Sequence, residues 1–532
     1  MPSTKKLLSI TNLKKYFPIA KSSIFQRQQY YVKANEDISL DIYEGETLGI
    51  VGESGCGKST LGRVLLQLYE QTAGTTMYYG MSPAGLAPRY VTDTLRHAKR
   101  YISRLHAAQA RADAASAKVS QLGEAATFFD LQNKNLAVAE YQTAQAHIAK
   151  ILGGFLVRDT EQGAALLYRK ARLEERAAAL SDRIRDIELM LDEAEGGTAD
   201  DGKPANASQL ARLKGRCDRL TRERDGLNAQ IREAEQSIAA IKQAHRDDLE
   251  FQRYEAMLDD GIDLARLKYS EMRILRKDLQ IIFQDPYSSL NPRFTIGQII
   301  EEGLVTHKFF RHGSPKMREH VVRTMKECGL QEYMLFRYPH QFSGGQRQRI
   351  SIARALAVHP KFVVCDECVS ALDVSIQSQI INLLQELKQK EHLTYMFISH
   401  DLSVVRYISD RICVMYLGNV VELADAATVF GDPRHPYTVA LLSSIPTTDM
   451  ESLKKERILL EGSIPSPVKP PDGCKFHTRC WMACDKCRRV PPPLAEIEPG
   501  HFVACHFPER KLDENGNYLF EMPKTEKKSA KE

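Results

Sequence analysis

Hydrophobic positions follow two different rhythms along this chain of 532 residues. In residues 7–80 and 262–430, short apolar runs alternate with turns, as in TLGIVG (47–52) and KFVVCDE (361–367). Continuous apolar runs of this length are typical of strands that are buried in a parallel sheet. Residues 90–260 are instead rich in Ala, Arg, Glu, Gln and Leu and contain almost no proline, which favours helix. The pattern predicts an α/β fold that is interrupted by a helical insertion.

The insertion carries a heptad pattern in two stretches. Mostly apolar positions recur at alternating steps of four and three residues from Leu166 to Ala194, and again from Leu210 to Ile241. A turn rich in Gly, Asp and Pro separates the two stretches at 196–206. Two apolar seams that are joined by a short turn predict an antiparallel coiled-coil hairpin.

Composition and charge add few constraints. The net charge of +5 is small for this length, and basic and acidic residues are interspersed, so charge does not favour nucleic acid as a partner. No apolar run reaches the roughly eighteen residues of a membrane-spanning helix. The N-terminus also lacks the apolar stretch of a secretory signal. We therefore expect a cytoplasmic protein that reaches the membrane only through partners.

A glycine-rich loop follows the apolar run TLGIV. Its sequence, GESGCGKST, fits the pattern G-x-x-x-x-G-K-[ST], and a helical pattern follows, which is the context that this motif requires. Such glycines let backbone N–H groups close around phosphate oxygens at a helix N-terminus. We expect Lys58 to contact the β- and γ-phosphates of ATP and Ser59 to bind Mg²⁺. The predicted nucleotide-binding residues of this loop are Gly52, Glu53, Ser54, Gly55, Cys56, Gly57, Lys58, Ser59 and Thr60.

Two carboxylates end the apolar run at 361–367. Ligands gather at the carboxyl ends of buried parallel strands, so this position suits catalysis. Asp366 is expected to hold Mg²⁺ through water as part of the nucleotide site. Glu367 is expected to polarise the attacking water as general base.

A second anion-binding signal lies in FSGGQ, just before the helical pattern RQRISIARALAV. A serine and two glycines at a helix start offer backbone N–H groups to an anion. This loop resembles the signature loop of ABC ATPases, which acts on the ATP of a partner subunit. The matching residues are Ser343, Gly344, Gly345 and Gln346.

The remaining motifs of that family follow in order. The resemblance implies that Gln284 is the Q-loop residue, which contacts Mg²⁺ and reports the nucleotide state to the membrane partner. It implies that Asp373 lies in the D-loop and that His400 is the switch histidine at the γ-phosphate. An aromatic ring should stack on adenine, and we predict Tyr16 for this role, with Phe17 and Tyr31 as alternatives. One departure from the family is Cys368, because proline is usual at that position.

Two longer strings narrow the resemblance to one group of transporters. FQDPYSSLNPR (283–293) and RHPYTVALLSSIP (434–446) resemble the ATP-binding subunits of oligopeptide and dipeptide (peptide/nickel) importers. The resemblance implies a peripheral location at the cytoplasmic face of the membrane. It also implies two permease chains and an extracytoplasmic peptide-binding protein as partners. Each catalytic motif occurs once, so a second, similar ATPase subunit is expected to complete a heterodimer.

Five of the eleven cysteines fall close together near the C-terminus. Four thiolates suit an iron–sulfur cluster or zinc equally well by ligand chemistry. The importer resemblance favours a [4Fe–4S] cluster held by Cys474, Cys480, Cys487 and Cys505, and Cys484 lies outside the pattern.

Together these patterns predict five segments. Residues 1–80 and 262–430 form the two parts of an ABC ATPase domain, and 81–261 form the helical coiled-coil insertion. Residues 431–510 form an importer-type C-terminal region with the cysteines, and 511–532 form a charged tail. The insertion could be an inert decoration or a docking arm for a protein.

The main alternative function is that of a coiled-coil ABC ATPase of DNA repair or chromosome maintenance. Those proteins also insert coiled coils within an ABC ATPase. A protein of that class should have much longer arms or zinc modules inside the insertion, whereas Cys217 is the only cysteine in this insertion.

Overall fold

A computed structural model of the protein describes residues 5–21, 28–195, 207–310, 312–445 and 458–508. The predicted turn at 196–206 and the predicted tail at 511–532 lie outside these ranges. The chain forms two compact units, of which one comprises Met1–Thr72 with Arg273–Glu532 and the other Ala73–Met272. The second unit extends beyond the predicted insertion at 81–261, because short strands that flank the insertion pair with each other.

The secondary structure contains strands mainly in the first unit and long helices in the second. The strands are β1 (Lys6–Pro18), β2 (Tyr31–Tyr43), β3 (Thr47–Val51), β4 (Ala73–Tyr78), β5 (Ile262–Asp263), β6 (Leu279–Ile282), β7 (Phe362–Asp366), β8 (Thr394–Ile398), β9 (Arg411–Tyr416), β10 (Asn419–Asp425), β11 (Ala495–Glu498) and β12 (His501–Val503). The helices are α1 (Lys58–Leu65), α2 (Pro83–Leu86), α3 (Arg89–Arg96), α4 (Ala98–Leu122), α5 (Phe128–Leu152), α6 (Thr160–Glu195), α7 (Ala207–Ala244), α8 (Leu249–Glu255), α9 (Tyr269–Leu275), α10 (Pro286–Ser289), α11 (Ile296–Thr306), α12 (Pro315–Glu327), α13 (Gly344–Leu356), α14 (Val374–Glu391), α15 (Leu402–Ile408), α16 (Ala426–Gly431), α17 (Pro436–Ser443) and α18 (Asp485–Arg489). Across the described ranges, no helix combines the length and the apolarity that crossing a bilayer would need.

The first unit is built on an eight-stranded sheet with the order β11-β12-β10-β9-β3-β8-β7-β6. The five strands from β9 to β6 are parallel, and β10, β12 and β11 extend the sheet by antiparallel pairing. All residues of β3, β7 and β8 are buried, as expected for strands that are covered on both faces. The carboxyl ends of β3, β8, β7 and β6 therefore meet at one edge of the sheet.

Helices α13 and α14 supply apolar cover for this sheet. Ile350 of α13 and Leu384 of α14 belong to the same buried cluster as Val363 of β7 and Phe397 of β8. Also within the first unit, β1 and β2 form an antiparallel ladder from Lys6, opposite Tyr43, to Pro18, opposite Tyr31. The strands that end at the candidate site thus stand in a packed core.

The second unit is mainly helical. Leu105 of α4, Leu152 of α5, Ile238 of α7 and Phe251 of α8 share one apolar core with Phe155, which follows α5. The rings of Phe155 and Phe251 meet edge to face, with centroids 5.8 Å apart. This arrangement is one that aromatic pairs prefer.

Beyond that core, α6 and α7 pack side by side. Lys170, near the start of α6, pairs with Glu235, near the end of α7, at 3.1 Å, so the two helices run antiparallel. Their buried contact residues fall at the predicted heptad positions. These residues are Leu173, Ala177, Leu180, Ile184 and Ile187 of α6 with Leu220 and Leu227 of α7.

Replacing Ile184 by Asp should disrupt this helix pair. Ile184 is buried in the contact between α6 and α7, and a carboxylate there would lose water without gaining a partner. We expect weaker helical circular dichroism and faster proteolysis of the insertion. The exposed neighbour Arg183 offers a matched control, since Arg183→Asp places the same charge one residue away on the solvent face. Equal circular dichroism and equal proteolysis of the two variants would contradict the buried contact between α6 and α7.

Candidate nucleotide site and cysteine-rich region

The segment from Gly52 to Thr60 comprises the loop that follows β3 and the first turn of α1. Gly57 is the N-cap of α1 with φ of 100°, and no acidic residue lies in the first turn. The N–H groups of this turn therefore favour an anion. Lys58 Nζ donates to the carbonyl oxygens of Gly52 at 2.7 Å and Glu53 at 3.1 Å. The ammonium group thus lies over the loop, where phosphate oxygens would replace these carbonyl groups.

Ser59 and Asp366, predicted from separate motifs, are in direct contact. Ser59 Oγ donates to Asp366 Oδ1 at 2.5 Å, and Arg63 donates to Asp366 Oδ2 at 3.3 Å. Asp366 is the last residue of β7 and is buried. A hydroxyl oxygen beside a carboxylate is a donor set that suits Mg²⁺, so these residues fit the ion expected with ATP.

Gln284, Glu367 and His400 form a second group at the same edge of the sheet. They follow the carboxyl ends of the neighbouring strands β6, β7 and β8. Gln284 Nε2 donates to Glu367 Oε2 at 2.8 Å, and His400 Nδ1 lies 3.5 Å from the same oxygen. The structure therefore brings together the predicted general base, the predicted Q-loop residue and the predicted switch histidine.

The backbone at Glu367 is unusual. Its φ of 48° places a non-glycine residue in the left-handed region. This conformation costs energy, and residues that adopt it are often found at functional sites. The Glu367 N–H donates to Ile398 O at 3.0 Å, and the Ser370 hydroxyl donates to Glu367 O at 2.9 Å. These bonds hold the turn that presents the carboxylate.

Tyr16 does not match its predicted role at adenine, and this assignment is corrected. The side chain is only 5% exposed, and its hydroxyl donates to both carboxylate oxygens of Glu36, at 2.6 and 2.7 Å. Burial and the Glu36 carboxylate raise the pKa of Tyr16. A ring buried in this way cannot stack on a base. The two alternatives, Phe17 and Tyr31, are both half-buried.

Sequence reasoning missed two residues that contact the phosphate loop. Arg479 donates to both oxygens of the Glu53 carboxylate, at 2.7 and 3.0 Å. The Glu53 N–H donates to the Tyr437 hydroxyl at 2.8 Å. Tyr437 lies in the importer-type string RHPYTVALLSSIP, and Arg479 lies among the clustered cysteines. Their contact with the loop could not be inferred, because more than 380 residues separate each of them from Glu53.

The four predicted cysteine ligands line one small cavity of about 20 Å³. Burial raises the pKa of Cys480 to about 12 and that of Cys505 to about 11, and it also raises the pKa of Cys474 and Cys487. Cys484 lies outside the cavity lining, and its Sγ is 3.8 Å from that of Cys487. Among the described residues, no three His, Cys, Asp or Glu side chains are close enough to hold a single metal ion.

Comparisons with known proteins assign the chain to a family. The family model for the ABC transporter matches residues 35–155 and 219–370, and that for the oligopeptide/dipeptide transporter C-terminal region matches 421–487. The putative oligopeptide transport ATP-binding protein YkfD of Bacillus subtilis is 53% identical over 248 residues, which are 46% of this chain and 75% of YkfD. The chain belongs to the ATP-binding subunits of oligopeptide/dipeptide ABC transporters.

Two further members of this ABC transporter family are similarly close. The oligopeptide transport ATP-binding protein AppF of Bacillus subtilis is 52% identical over 254 residues, which are 47% of this chain and 76% of AppF. A putative peptide import ATP-binding protein of Brucella ovis is 52% identical over 247 residues, which are 46% of this chain and 77% of that protein. Each of these alignments covers less than half of this ABC subunit.

The predicted signature loop of this ABC subunit faces solvent at Ser343 and Gly344. Ser343 caps α13, since its hydroxyl accepts from the Gln346 N–H at 3.3 Å and Gln346 Oε1 accepts from the Ser343 N–H at 3.1 Å. Ser343 and Gly344 are exposed, and Gly345 is half-buried. Asp373, which is predicted to lie in the D-loop, is exposed at the N-cap of α14. These residues are thus accessible to a partner subunit.

Cys368, at the position where proline is usual, leaves the carboxylate arrangement in place. It is buried, and its hydrogen bond with Cys365 raises the pKa of the Cys365 thiol. Glu367 keeps its contacts with Gln284 and His400 beside this cysteine.

Proposed function

We propose that this chain binds and hydrolyses ATP to drive the import of dipeptides and oligopeptides by an ABC transporter. The observation that carries the proposal is the convergence of Ser59, Asp366, Gln284, Glu367 and His400 at one edge of the parallel sheet. The substrate class comes from the relatives, which are named for oligopeptide transport or peptide import. None of these three names favours the alternative role in DNA repair.

ATP would bind with its phosphates on the loop at Gly52–Thr60. Lys58 would exchange the carbonyl groups of Gly52 and Glu53 for β- and γ-phosphate oxygens. Ser59 and Gln284 would hold Mg²⁺ directly and Asp366 would do so through water. The ion supplies positive charge that neutralises the phosphates during transfer. Phe17 and Tyr31 are the aromatic side chains left to contact adenine.

Hydrolysis would depend on the group formed by Gln284, Glu367 and His400. Glu367 would accept the proton of the attacking water as it approaches the γ-phosphate. Gln284 and His400 already contact one oxygen of this carboxylate, so they would orient it toward the water. His400 is mostly exposed and would also contact the γ-phosphate.

The chain would work as one half of a pair of ATPase subunits. The exposed Ser343 and Gly344 would contact ATP that is bound to the partner's phosphate loop, and the exposed Asp373 would lie at the same interface. A second, similar ATPase subunit in a heterodimer, two permease subunits and an extracytoplasmic peptide-binding protein would complete the transporter. The subunit would then lie at the cytoplasmic face of the membrane.

The helix pair of α6 and α7 would be an antiparallel coiled-coil arm that docks a partner protein. Support comes from the buried heptad positions and from the mixed charges on the outer surface, such as the pair of Arg169 and Glu233 at 3.5 Å. Mixed acidic and basic faces suit a protein surface better than an anionic membrane.

The cysteine cavity would hold a [4Fe–4S] cluster. Zinc is the alternative by ligand chemistry, but no three donors among the described residues are close enough to hold a single ion. The donor set fits, because four thiols line one cavity and thiolates are the usual ligands of such clusters. Anaerobic purification followed by iron, sulfide and zinc analysis tests this directly. Cys480→Ser should lower the metal content, whereas Cys217→Ser, in the second unit, should leave it unchanged.

Reconstitution tests the transport function. The chain should co-purify in detergent with two permease subunits and a second ATPase. In liposomes, its ATP hydrolysis should rise when peptide and the peptide-binding protein are added. Stimulation by DNA, without any effect of peptide, would instead support the chromosome-maintenance alternative.

A further inference from the structure

The C-terminal cysteine-rich segment touches the phosphate loop through one side chain. Arg479 lies directly before Cys480, and its guanidinium group forms a two-point ion pair with Glu53. The Arg479 side chain is 6% exposed, whereas that of Glu53 is 24% exposed. A bidentate pair of this kind fixes geometry as well as charge. The pair therefore joins a buried cation of the C-terminal region to the loop that receives ATP.

A cluster of buried aromatic rings lies beside Arg479. Tyr416 at the end of β9, Tyr437 of α17 and Phe476 are almost fully buried, with ring centroids 4.7 to 5.4 Å apart. The Arg479 guanidinium lies 6.0 Å from the Tyr416 ring centroid. Tyr437 also accepts the Glu53 N–H, so this aromatic cluster holds the first peptide of the loop.

The charge balance explains why such a contact matters for ATP. Glu53 is the second residue of the phosphate loop, and its carboxylate would repel the phosphates of ATP if it had no counter-ion. Arg479 supplies that counter-ion, and the carboxylate in turn raises the pKa of the guanidinium group. Lys58 Nζ bonds to the Glu53 carbonyl, so a shift of this residue would also move the lysine that binds phosphate.

We propose that Arg479 is a positioning residue for ATP binding, which neutralises Glu53 and fixes the phosphate loop from the C-terminal region. The proposal rests on the ATPase function proposed above. It assigns the cysteine-rich region a task in the nucleotide site. Because Arg479 is adjacent to a cavity-lining cysteine, a change in that cavity would reach the loop through this contact.

Substitution of Arg479 separates this role from a merely structural one. In Arg479→Met, Glu53 loses its counter-ion, and we expect the Kd for a fluorescent ATP analogue and the KM for ATP to rise about tenfold, with kcat changed much less. Arg479→Lys keeps the positive charge but loses the two-point contact of the guanidinium group. Its Kd and KM should lie between those of wild type and Arg479→Met.

The decisive measurement is the Kd and KM for ATP of the double variant Arg479→Met with Glu53→Gln. The neutral amide that replaces the Glu53 carboxylate no longer repels phosphate, so the Kd and KM should return to within about threefold of wild type. A purely structural role of Arg479 predicts no such recovery, since the second substitution restores no contact. Thermal unfolding of each variant confirms that the folded protein is being compared.

The possible outcomes are distinct. A wild-type chain that neither binds nor hydrolyses ATP would overturn the proposed function itself. An active wild type with unchanged Kd and KM in Arg479→Met would overturn only this inference. A raised KM that the double variant fails to restore would likewise reject the electrostatic role of Arg479.

Discussion

The variant Glu367→Gln is expected to bind ATP but to lose its hydrolysis almost completely. Glutamine fills nearly the same volume as glutamate, so the fold and the contact with Gln284 should persist. The amide cannot accept the proton of the attacking water. General-base catalysis contributes about 10²- to 10⁴-fold to a rate, and we expect a loss of kcat in this range.

The local geometry makes Glu367 a better candidate for the base than Asp366. The Asp366 carboxylate is occupied by Ser59 and Arg63 and is buried at the end of β7. Glu367 is half-buried. Its strained backbone, with φ of 48°, directs the side chain to the edge of the sheet. Glu367 also contacts His400, which is the residue that we expect at the γ-phosphate.

The measurement compares single-turnover ATP hydrolysis with equilibrium ATP binding. Glu386→Gln makes the same chemical change at an exposed position of α14 and should leave both quantities at the wild-type level. Hydrolysis at the wild-type rate in Glu367→Gln would refute the assignment of the base. A parallel loss of binding would show that the carboxylate acts on affinity instead.

The sequence was sufficient to predict those parts of the site that follow single strands. Asp366 and Glu367 end the apolar run of β7, and His400 comes two residues after β8. Parallel strands align their carboxyl ends, so these residues had to meet once the strands were neighbours. The helix pair was predictable for a similar reason, because heptad spacing is a local property of the chain.

Side-chain contacts that neither a motif nor the alignment of strand ends implies could not be predicted. Alternation along β1 places Tyr16 and Phe17 on opposite faces, but it does not reveal that Tyr16 is buried with its hydroxyl donating to Glu36 of β2. The ion pair of Arg479 and Glu53 likewise depends on how the C-terminal region packs on the sheet. No periodicity or spacing encodes such pairings.

The second large effect is expected for Gly57→Ala, which should destroy the phosphate loop. Gly57 has φ of 100°, and a Cβ atom there would collide with the Ala34 carbonyl oxygen and would lie 2.9 Å from Asn35 Nδ2. Such contacts are impossible without moving β2 or the start of α1. Lys58 and Ser59 follow directly, so both would be displaced.

Gly55→Ala provides a matched control within the same loop. Gly55 also has a left-handed backbone, with φ of 80°, but nothing lies within 4 Å of a Cβ atom built on it. The backbone cost of alanine, about 1–2 kcal/mol, is therefore shared by the two variants, and only Gly57→Ala adds a steric clash. The difference between them isolates the effect of close packing against β2.

We therefore expect Gly57→Ala to lower the Tm of the nucleotide-free protein more than Gly55→Ala does. ATP affinity should also fall much more in Gly57→Ala than in Gly55→Ala, because Lys58 and the backbone N–H groups that bind phosphate would be displaced. Differential scanning fluorimetry without nucleotide and titration with a fluorescent ATP analogue measure the two quantities. Equal Tm values for the two variants would mean that β2 yields freely to the new methyl group, and the loop would then owe its shape to glycine's backbone freedom alone.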